Sequence, residues 1–143
     1  LGQSGHRRAL SFIGLTVLLT AIPYAAMFLS NSWQAALWLF LIPAATANVY
    51  LAPVLSQAQG LVSLRMRAMA SALALLVINV IGLALGPLLT GVLSDVLEGR
   101  FAEESMRYSL LLVTSVILPW AGWHYIRAGR TIDADLERAT KHD

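Results

Sequence analysis

Three long stretches of this chain carry no charged side chain, and they constrain its fold more than any other feature. Residues 9–57, 68–94 and 108–126 contain no Asp, Glu, Lys or Arg. Apolar stretches of about 18 or more uncharged residues are typical of helices that span a membrane. Of all residues, 57% are hydrophobic and only 13% are charged, whereas about a quarter are charged in soluble domains. The sequence therefore predicts an all-α integral membrane protein.

Short polar segments divide the uncharged stretches into four predicted transmembrane helices. Residues 30–32 lie between the first and second helices, residues 57–67 between the second and third, and residues 95–107 between the third and fourth. The predicted organisation is a cytoplasmic loop at 1–8, a four-helix transmembrane region at 9–126, and a cytoplasmic C-terminal tail at 127–143. The stretch 9–57 is long enough for two membrane-spanning helices, and each of the other two stretches is long enough for one. The four helices are expected at 9–29, 33–56, 68–93 and 108–126.

Basic residues are distributed unequally between the two sides that four helices create. The side with the N-terminus, the 57–67 connector and the C-terminal tail carries eight of the ten Lys and Arg residues. The opposite side carries only Arg100 and Arg107. Because basic residues accumulate on the cytoplasmic side of a membrane, both termini are predicted to be cytoplasmic, and the chain is expected in the cytoplasmic (inner) membrane.

Several functional classes find no support in the residues. The chain has no cysteine, and it has no zinc-ligand spacing, phosphate-binding glycine loop or nucleophile elbow. The net charge of +2 and the lack of a basic stripe with interleaved aromatic residues argue against nucleic-acid binding. No Asp or Glu lies within a predicted helix. We therefore expect no enzymatic activity, no metal and no cofactor.

Polar side chains inside the predicted helices are the candidate substrate contacts. Asn48 and Tyr50 lie in the second helix, and Asn79 lies in the third. An amide side chain at mid-membrane needs a hydrogen-bonding partner or a watery cavity. Two interpretations remain open for these residues: a hydrogen bond between helices that holds the bundle together, or a contact that lines a substrate cavity.

Small residues recur along the third predicted helix. Gly82 and Gly86 form a G-x-x-x-G pair, which allows a neighbouring helix to approach the backbone closely within a bilayer. Pro87 and Gly91 follow. These four residues either pack against another helix or form a hinge or close-contact seam between moving halves.

Two arginines, Arg65 and Arg67, lie in the connector before the third helix. One interpretation is that they set the membrane topology and contact lipid headgroups. The alternative is a cytoplasmic latch, in which the guanidinium groups pair with acidic residues or with the C-termini of helices when one gate is closed.

The chain resembles a known family of transporters over nearly its whole length, and the motifs that carry the resemblance lie between residues 53 and 95. The connector at 53–68 is similar to the one between helices ten and eleven of major facilitator superfamily transporters. Gly82-x-x-x-Gly86-Pro87 with Gly91 is similar to the glycine–proline motif of that superfamily. The closest resemblance is to the spinster-like branch, in which an Arg-Met-Arg-Ala turn leads to Asn-x-x-Gly-x-x-x-Gly-Pro.

This resemblance implies that the four helices are helices nine to twelve of a twelve-helix transporter, and that the first eight helices are missing. It implies two six-helix halves around a central cavity, with alternating access, in a secondary transporter that moves a small molecule. The expected partners are the lipid bilayer, a small-molecule substrate and the missing N-terminal helices. The alternative function is a stand-alone four-helix membrane scaffold or assembly subunit without transport activity.

Overall fold

The computed structural model describes residues 4–140, and every regular element in that range is helical, as the sequence predicts. A π-helical segment, Val80–Leu85, joins the fourth and fifth α-helices, and short 3-10 turns lie at Leu64–Met66 and Ala102–Glu104. The α-helices are α1 (Ser4–Leu29), α2 (Trp33–Thr46), α3 (Leu51–Gly60), α4 (Arg67–Asn79), α5 (Gly86–Phe101) and α6 (Ser105–Thr140).

The second predicted helix is divided into α2 and α3 by a turn at residues 47–50. Pro43 lies inside α2, and Pro53 lies in the first turn of α3. Because a proline has no backbone N–H and its ring crowds the preceding turn, a regular helix is interrupted near it. The turn uses shorter hydrogen bonds, such as the one that the Val49 N–H donates to the Thr46 carbonyl at 3.1 Å. The interruption therefore lies between the two prolines.

The third predicted helix, at 68–93, forms part of one longer helical segment made of α4, the π-helical segment and α5. Pro87 occupies the first turn of α5, where it cannot donate a hydrogen bond to the Leu83 carbonyl. A π-helical turn is a common way to absorb such a disruption within an α-helix. The glycine–proline motif therefore overlaps the π-helical segment at Gly82 and continues into α5 with Gly86, Pro87 and Gly91.

The last helix is longer than the sequence indicates. It was expected at 108–126, followed by a C-terminal tail at 127–143, but α6 continues without a break from Ser105 to Thr140. The extension packs against the beginning of α1, because Ile132 is buried together with Leu10 and Ile13. A helix of 36 residues is about 54 Å long at 1.5 Å per residue. Packing against α1 therefore stabilises residues 127–140 as a continuation of α6.

The most extensive helix contact joins α1 and α6. An ideal Cβ placed on Gly14 would lie 2.8 Å from the Gly122 carbonyl oxygen, and one placed on Gly129 would lie 3.2 Å from the Arg7 carbonyl oxygen. Since the later glycine of α6 meets the earlier residue of α1, the two helices are antiparallel. We call Gly14, Gly122 and Gly129 the α1–α6 glycine contact.

The helices α5 and α6 form an antiparallel hairpin that is joined by hydroxyl groups. The Ser109 side chain is fully buried, and its hydroxyl donates a hydrogen bond of 2.6 Å to the Thr90 carbonyl. The hydroxyl oxygens of Ser94 and Ser105 lie 3.1 Å apart, also in a buried position. Small polar residues between apolar helices are typical of helix packing within membranes.

Apolar side chains lie mostly on the outside of the described structure. Among residues 4–140, the buried hydrophobic core contains only Leu10, Ile13 and Ile132, whereas Leu83 is 75% exposed and Trp38 is 73% exposed. By length and composition, three segments are long and apolar enough to cross a membrane: Arg7–Leu29, Trp33–Gly60 and Leu64–Ala139. The third has 76 residues and contains the α5–α6 reversal, so it comprises two antiparallel lengths of helix.

Candidate functional site

A partly open cavity of about 520 Å³ is bordered by residues from all four helical lengths of the described chain, and we call it the central cavity. Its walls come from α1, from α2 and the turn after it, from the end of α4 with the π-helical segment, and from α6. The lining residues are Ile13, Thr16, Val17, Thr20, Tyr24, Pro43, Thr46, Ala47, Val49, Tyr50, Val77, Ile78, Ile81, Gly82, Ile117, Leu118, Ala121 and Tyr125.

Two irregular stretches of backbone face the central cavity. The turn at 47–50 contributes Ala47, Val49 and Tyr50, and the π-helical segment contributes Ile81 and Gly82. Helices that are interrupted at membrane depth are tolerated where the irregular backbone is buried in protein or lines a cavity. Pro43 of the second predicted helix and Gly82 of the third therefore border the same site.

The polar groups of the central cavity are hydroxyls. Three of them belong to threonines that donate to carbonyls of their own helices: Thr16 to Phe12 at 2.9 Å, and Thr20 to Val17 at 2.9 Å. Thr46 behaves in the same way. Each hydroxyl oxygen keeps lone pairs that can accept a further hydrogen bond. The cavity can therefore present hydrogen-bond acceptors on an apolar wall.

Tyrosines supply the remaining polar groups of the cavity wall. Tyr24 comes from α1, Tyr50 from the turn before α3, and Tyr125 from α6. Tyr50 and Tyr125 also pack against the apolar cluster of Leu10, Ile13 and Ile132. A phenol offers both a donor and an acceptor on a large apolar ring, so these side chains can orient a bound molecule.

The structure brings together some of the predicted substrate contacts and separates others. Tyr50 and Gly82 line the central cavity, whereas Asn48 and Asn79 are exposed and do not line it. The Asn79 amide donates a 2.8 Å hydrogen bond to the Leu75 carbonyl of its own helix. A role for either asparagine in substrate binding stays a prediction.

The predicted packing motif of the third helix faces open space in the described chain. Apart from neighbouring residues and the backbone of the same helix, an ideal Cβ on Gly82, Gly86 or Gly91 has no described atom within 4 Å, and Pro87 is exposed. The close approach of helices in residues 4–140 occurs instead at the α1–α6 glycine contact. Packing or gating by the third-helix motif therefore stays a prediction that requires a partner beyond these residues.

The connector arginines are also exposed. Arg65 lies in the 3-10 turn Leu64–Met66, Arg67 begins α4, and neither forms an ion pair with a carboxylate of the described residues. A nearby hydrogen bond of 2.7 Å from the Gln59 amide to the Ser71 hydroxyl ties α3 to α4. Both interpretations of the arginines, topology with lipid contact or a latch, stay open.

Arg107 connects the start of α6 to the C-terminal end of α1. Only the charge of this residue was considered from the sequence, and the contact was not predicted. Its guanidinium donates hydrogen bonds to the Phe28 carbonyl at the end of α1 and, at 3.1 Å, to the Ser30 carbonyl. It also lies 3.4 Å from a Glu104 carboxylate oxygen. The fork of N–H groups therefore caps the C-terminus of α1 from the start of α6.

The described residues include no group of three or more His, Cys, Asp or Glu side chains arranged to hold a metal ion. What the central cavity offers chemically is a mostly apolar surface with six hydroxyl groups. Such a surface is suited to binding rather than to proton transfer or nucleophilic attack. Comparison of the chain with known protein families, with curated proteins and with solved structures found no match.

Proposed function

We propose that this chain is the membrane-spanning C-terminal portion of a secondary transporter of the major facilitator type, which moves a small molecule by alternating access. The membrane part of the proposal is supported by the outward placement of apolar side chains. In water, an apolar surface of this extent is strongly unfavourable, whereas lipid removes the penalty. The four spans of the proposal are α1, α2 with α3, α4 with α5, and α6.

The distribution of charge supports an orientation with both ends in the cytoplasm. The basic residues Arg7, Arg8, Arg65, Arg67 and Arg127 are exposed. The proposed four spans would put all five on the same side of the membrane. Since α6 is longer than the hydrocarbon thickness of about 30 Å, its last turns extend beyond the apolar layer. The extension can therefore carry charges of both signs without placing them in lipid.

The observation that carries the transport proposal is the central cavity between two interrupted spans. Transporters commonly bind substrate near the middle of the membrane, at helices that are broken at that depth. Here the turn at 47–50 and the π-helical segment Val80–Leu85 both border the cavity. Alternating access requires that the cavity open to water on one side of the membrane. A scaffold subunit without transport activity has no such requirement, so water access separates the two functions.

The proposal predicts that a cysteine in the cavity wall reacts with a water-soluble thiol reagent. Ile117 lines the cavity and is 42% exposed, whereas the adjacent Val116 does not line it and is 67% exposed at almost the same depth. Because thiol reactivity requires the thiolate, which forms poorly in lipid, Ile117→Cys should react at least about tenfold faster than Val116→Cys. The measurement is the rate of modification by a membrane-impermeant methanethiosulfonate in sealed vesicles. Equal, slow rates at both positions would support the scaffold instead.

A further inference from the structure

The second half of α6 has three different faces. One face borders the central cavity with Leu118 and Ala121, and a second contacts α1 with Gly122 and Gly129. The third carries exposed residues spaced three and four apart, which therefore lie on one side of the helix. These residues, which we call the aromatic–basic face, are Trp120, Trp123, Arg127 and Arg130. This face points away from the central cavity, so helices that complete the cavity wall need not cover it.

The side chains of the aromatic–basic face contact one another. The Arg127 guanidinium carbon lies 4.9 Å from the centre of the Trp123 ring, within the range of a cation–π interaction. The His124 ring contacts both indoles, with ring centres 4.4 Å from Trp120 and 4.7 Å from Trp123. Neither Arg127 nor Arg130 forms an ion pair with a carboxylate of residues 4–140. The face therefore presents two guanidinium groups that no carboxylate of the described chain neutralises.

The position of this face along α6 matches the edge of a membrane. The helix begins at Ser105, directly after the turn from α5. A hydrocarbon layer of about 30 Å accommodates about 20 helical residues, so the apolar layer ends near about residue 125. Trp120 and Trp123 then lie just inside this boundary, and Arg127 and Arg130 lie just outside it, at the level of lipid headgroups.

Two further arginines lie at the same level on α1. An ideal Cβ on Gly129 lies 3.2 Å from the Arg7 carbonyl oxygen, so the exposed Arg7 and Arg8 are level with Arg127 and Arg130. The carboxylates of the α6 extension, at residues 133, 135 and 137, come only after Arg130. The order outward from the apolar layer is therefore aromatic, basic and then acidic.

We infer that the aromatic–basic face binds the headgroup of an anionic phospholipid, in the leaflet that the proposed orientation makes cytoplasmic. A guanidinium group binds phosphate oxygens through two parallel hydrogen bonds, and indole rings favour the headgroup level of a bilayer. Basic side chains at this level attract lipids of net negative charge. A protein partner would have to supply its own carboxylates here, whereas lipid supplies phosphate at this depth. The inference rests on the membrane-spanning part of the proposed function and adds a partner to it.

Quenching of tryptophan fluorescence by brominated lipids tests this inference. The exposed Trp33 and Trp38 are replaced by phenylalanine, so that only Trp120 and Trp123 report. The protein is reconstituted in phosphatidylcholine vesicles that contain an increasing fraction of dibrominated phosphatidylglycerol or dibrominated phosphatidylcholine, at about 0.15 M salt. We expect the association constant of phosphatidylglycerol at this face to exceed that of phosphatidylcholine about fivefold or more.

Matched double variants locate the preference. Arg127→Gln with Arg130→Gln should reduce the ratio of the two association constants to below about twofold, whereas lysine at both positions keeps the charge and should retain most of the preference. Arg65→Gln with Arg67→Gln is the control, because it removes two exposed charges from the same proposed side of the membrane. These residues belong to α4 and the turn before it, across the central cavity from α6, so the ratio should not change. Circular dichroism checks that all variants keep their helix content.

Three results would overturn the inference. Equal association constants of the two lipids in the protein with all its arginines would refute the preference for an anionic headgroup. Equal losses in the two glutamine double variants would assign the preference to general surface charge. Absence of quenching by either lipid would mean that another helix or a second copy of the chain covers the face. Quenching by brominated phosphatidylcholine reports membrane contact by itself, and modification of Ile117→Cys reports water access, so failure of the proposed function is distinguishable from failure of the headgroup preference.

Discussion

Replacing Gly122 by alanine is expected to destabilise the protein by about 1–3 kcal/mol, a range typical of overpacked sites. An ideal Cβ at this position lies 2.6 Å from the Leu18 Cγ atom and 2.9 Å from the Gly14 carbonyl oxygen. The first contact can relax by rotation of a side chain, but the second involves backbone, so α1 and α6 must separate. Reversible unfolding in mixed micelles, followed by circular dichroism, measures the change.

Gly86→Ala is the matched control for this prediction. Apart from neighbouring residues and the backbone of its own helix, no described atom lies within 4 Å of its ideal Cβ, and alanine is favoured over glycine in a helix by about 0.5–1 kcal/mol. We therefore expect Gly86→Ala to be neutral or stabilising in this assay. If Gly122→Ala were as stable as Gly86→Ala, the close contact of α1 with α6 would be wrong.

Loss of the Arg107 guanidinium is expected to reduce stability by about 2 kcal/mol, the order of a charge-assisted hydrogen bond at a partly buried site. In Arg107→Gln, the Phe28 and Ser30 carbonyls lose their donor. The ion pair with Glu104 adds little, because both side chains are partly exposed and exposed ion pairs are worth little. The same unfolding assay measures the effect, and proteolysis within residues 30–32 should become faster.

Two further variants give this prediction its controls. Arg107→Lys keeps the charge but replaces the planar fork by one ammonium group, so most of the loss should remain. Arg100 lies on the same side and is exposed, with its guanidinium 5.7 Å from the Phe101 ring centre, so Arg100→Gln should change stability by less than about 0.5 kcal/mol. Full stability of Arg107→Lys would show that charge alone, and not the capping geometry, is needed.

Much of the helical fold could be predicted from the sequence, because uncharged apolar stretches and proline positions are local signals. The end of α6 could not, since a polar stretch after residue 126 reads as a tail. What keeps that stretch helical is burial of Ile132 against Leu10 and Ile13, a contact between residues more than a hundred positions apart. Local composition carries no information about such packing.

The candidate site was harder to predict, for a physical reason. Helices that are apolar on every face give no periodic signal of which face turns inward, so Asn48 and Asn79 were selected for polarity alone. Thr16, Thr20 and Tyr125 were missed, although they line the central cavity together with Tyr50. A threonine hydroxyl can donate its hydrogen bond to a carbonyl of its own helix. Unlike an asparagine amide, it therefore does not require a partner from another helix or a cavity, and it was not selected from the sequence.

The α1–α6 glycine contact was also missed, because its members lie on different helices. Gly14 has no second glycine nearby in α1, whereas the Gly82–Gly86 pair fits a familiar pattern within one helix. A weaker signal was available in α6, where Gly122 and Gly129 are two turns apart and share one face. The spacing of glycines within one helix identifies a face without side chains, but it does not identify which neighbouring helix packs against that face.

Membrane topology tests the central claim most directly, and the chain suits the measurement because it has no cysteine. Single cysteines are placed at Gly99 and Ala134, both exposed, and at Leu83, which is 75% exposed within the third proposed span. Each variant is treated with an impermeant maleimide in intact cells and after permeabilisation. We expect Gly99→Cys to be labelled in intact cells, Ala134→Cys only after permeabilisation, and Leu83→Cys in neither. Labelling of Leu83→Cys, or labelling of Gly99→Cys and Ala134→Cys from the same side, would contradict a four-span protein with cytoplasmic ends.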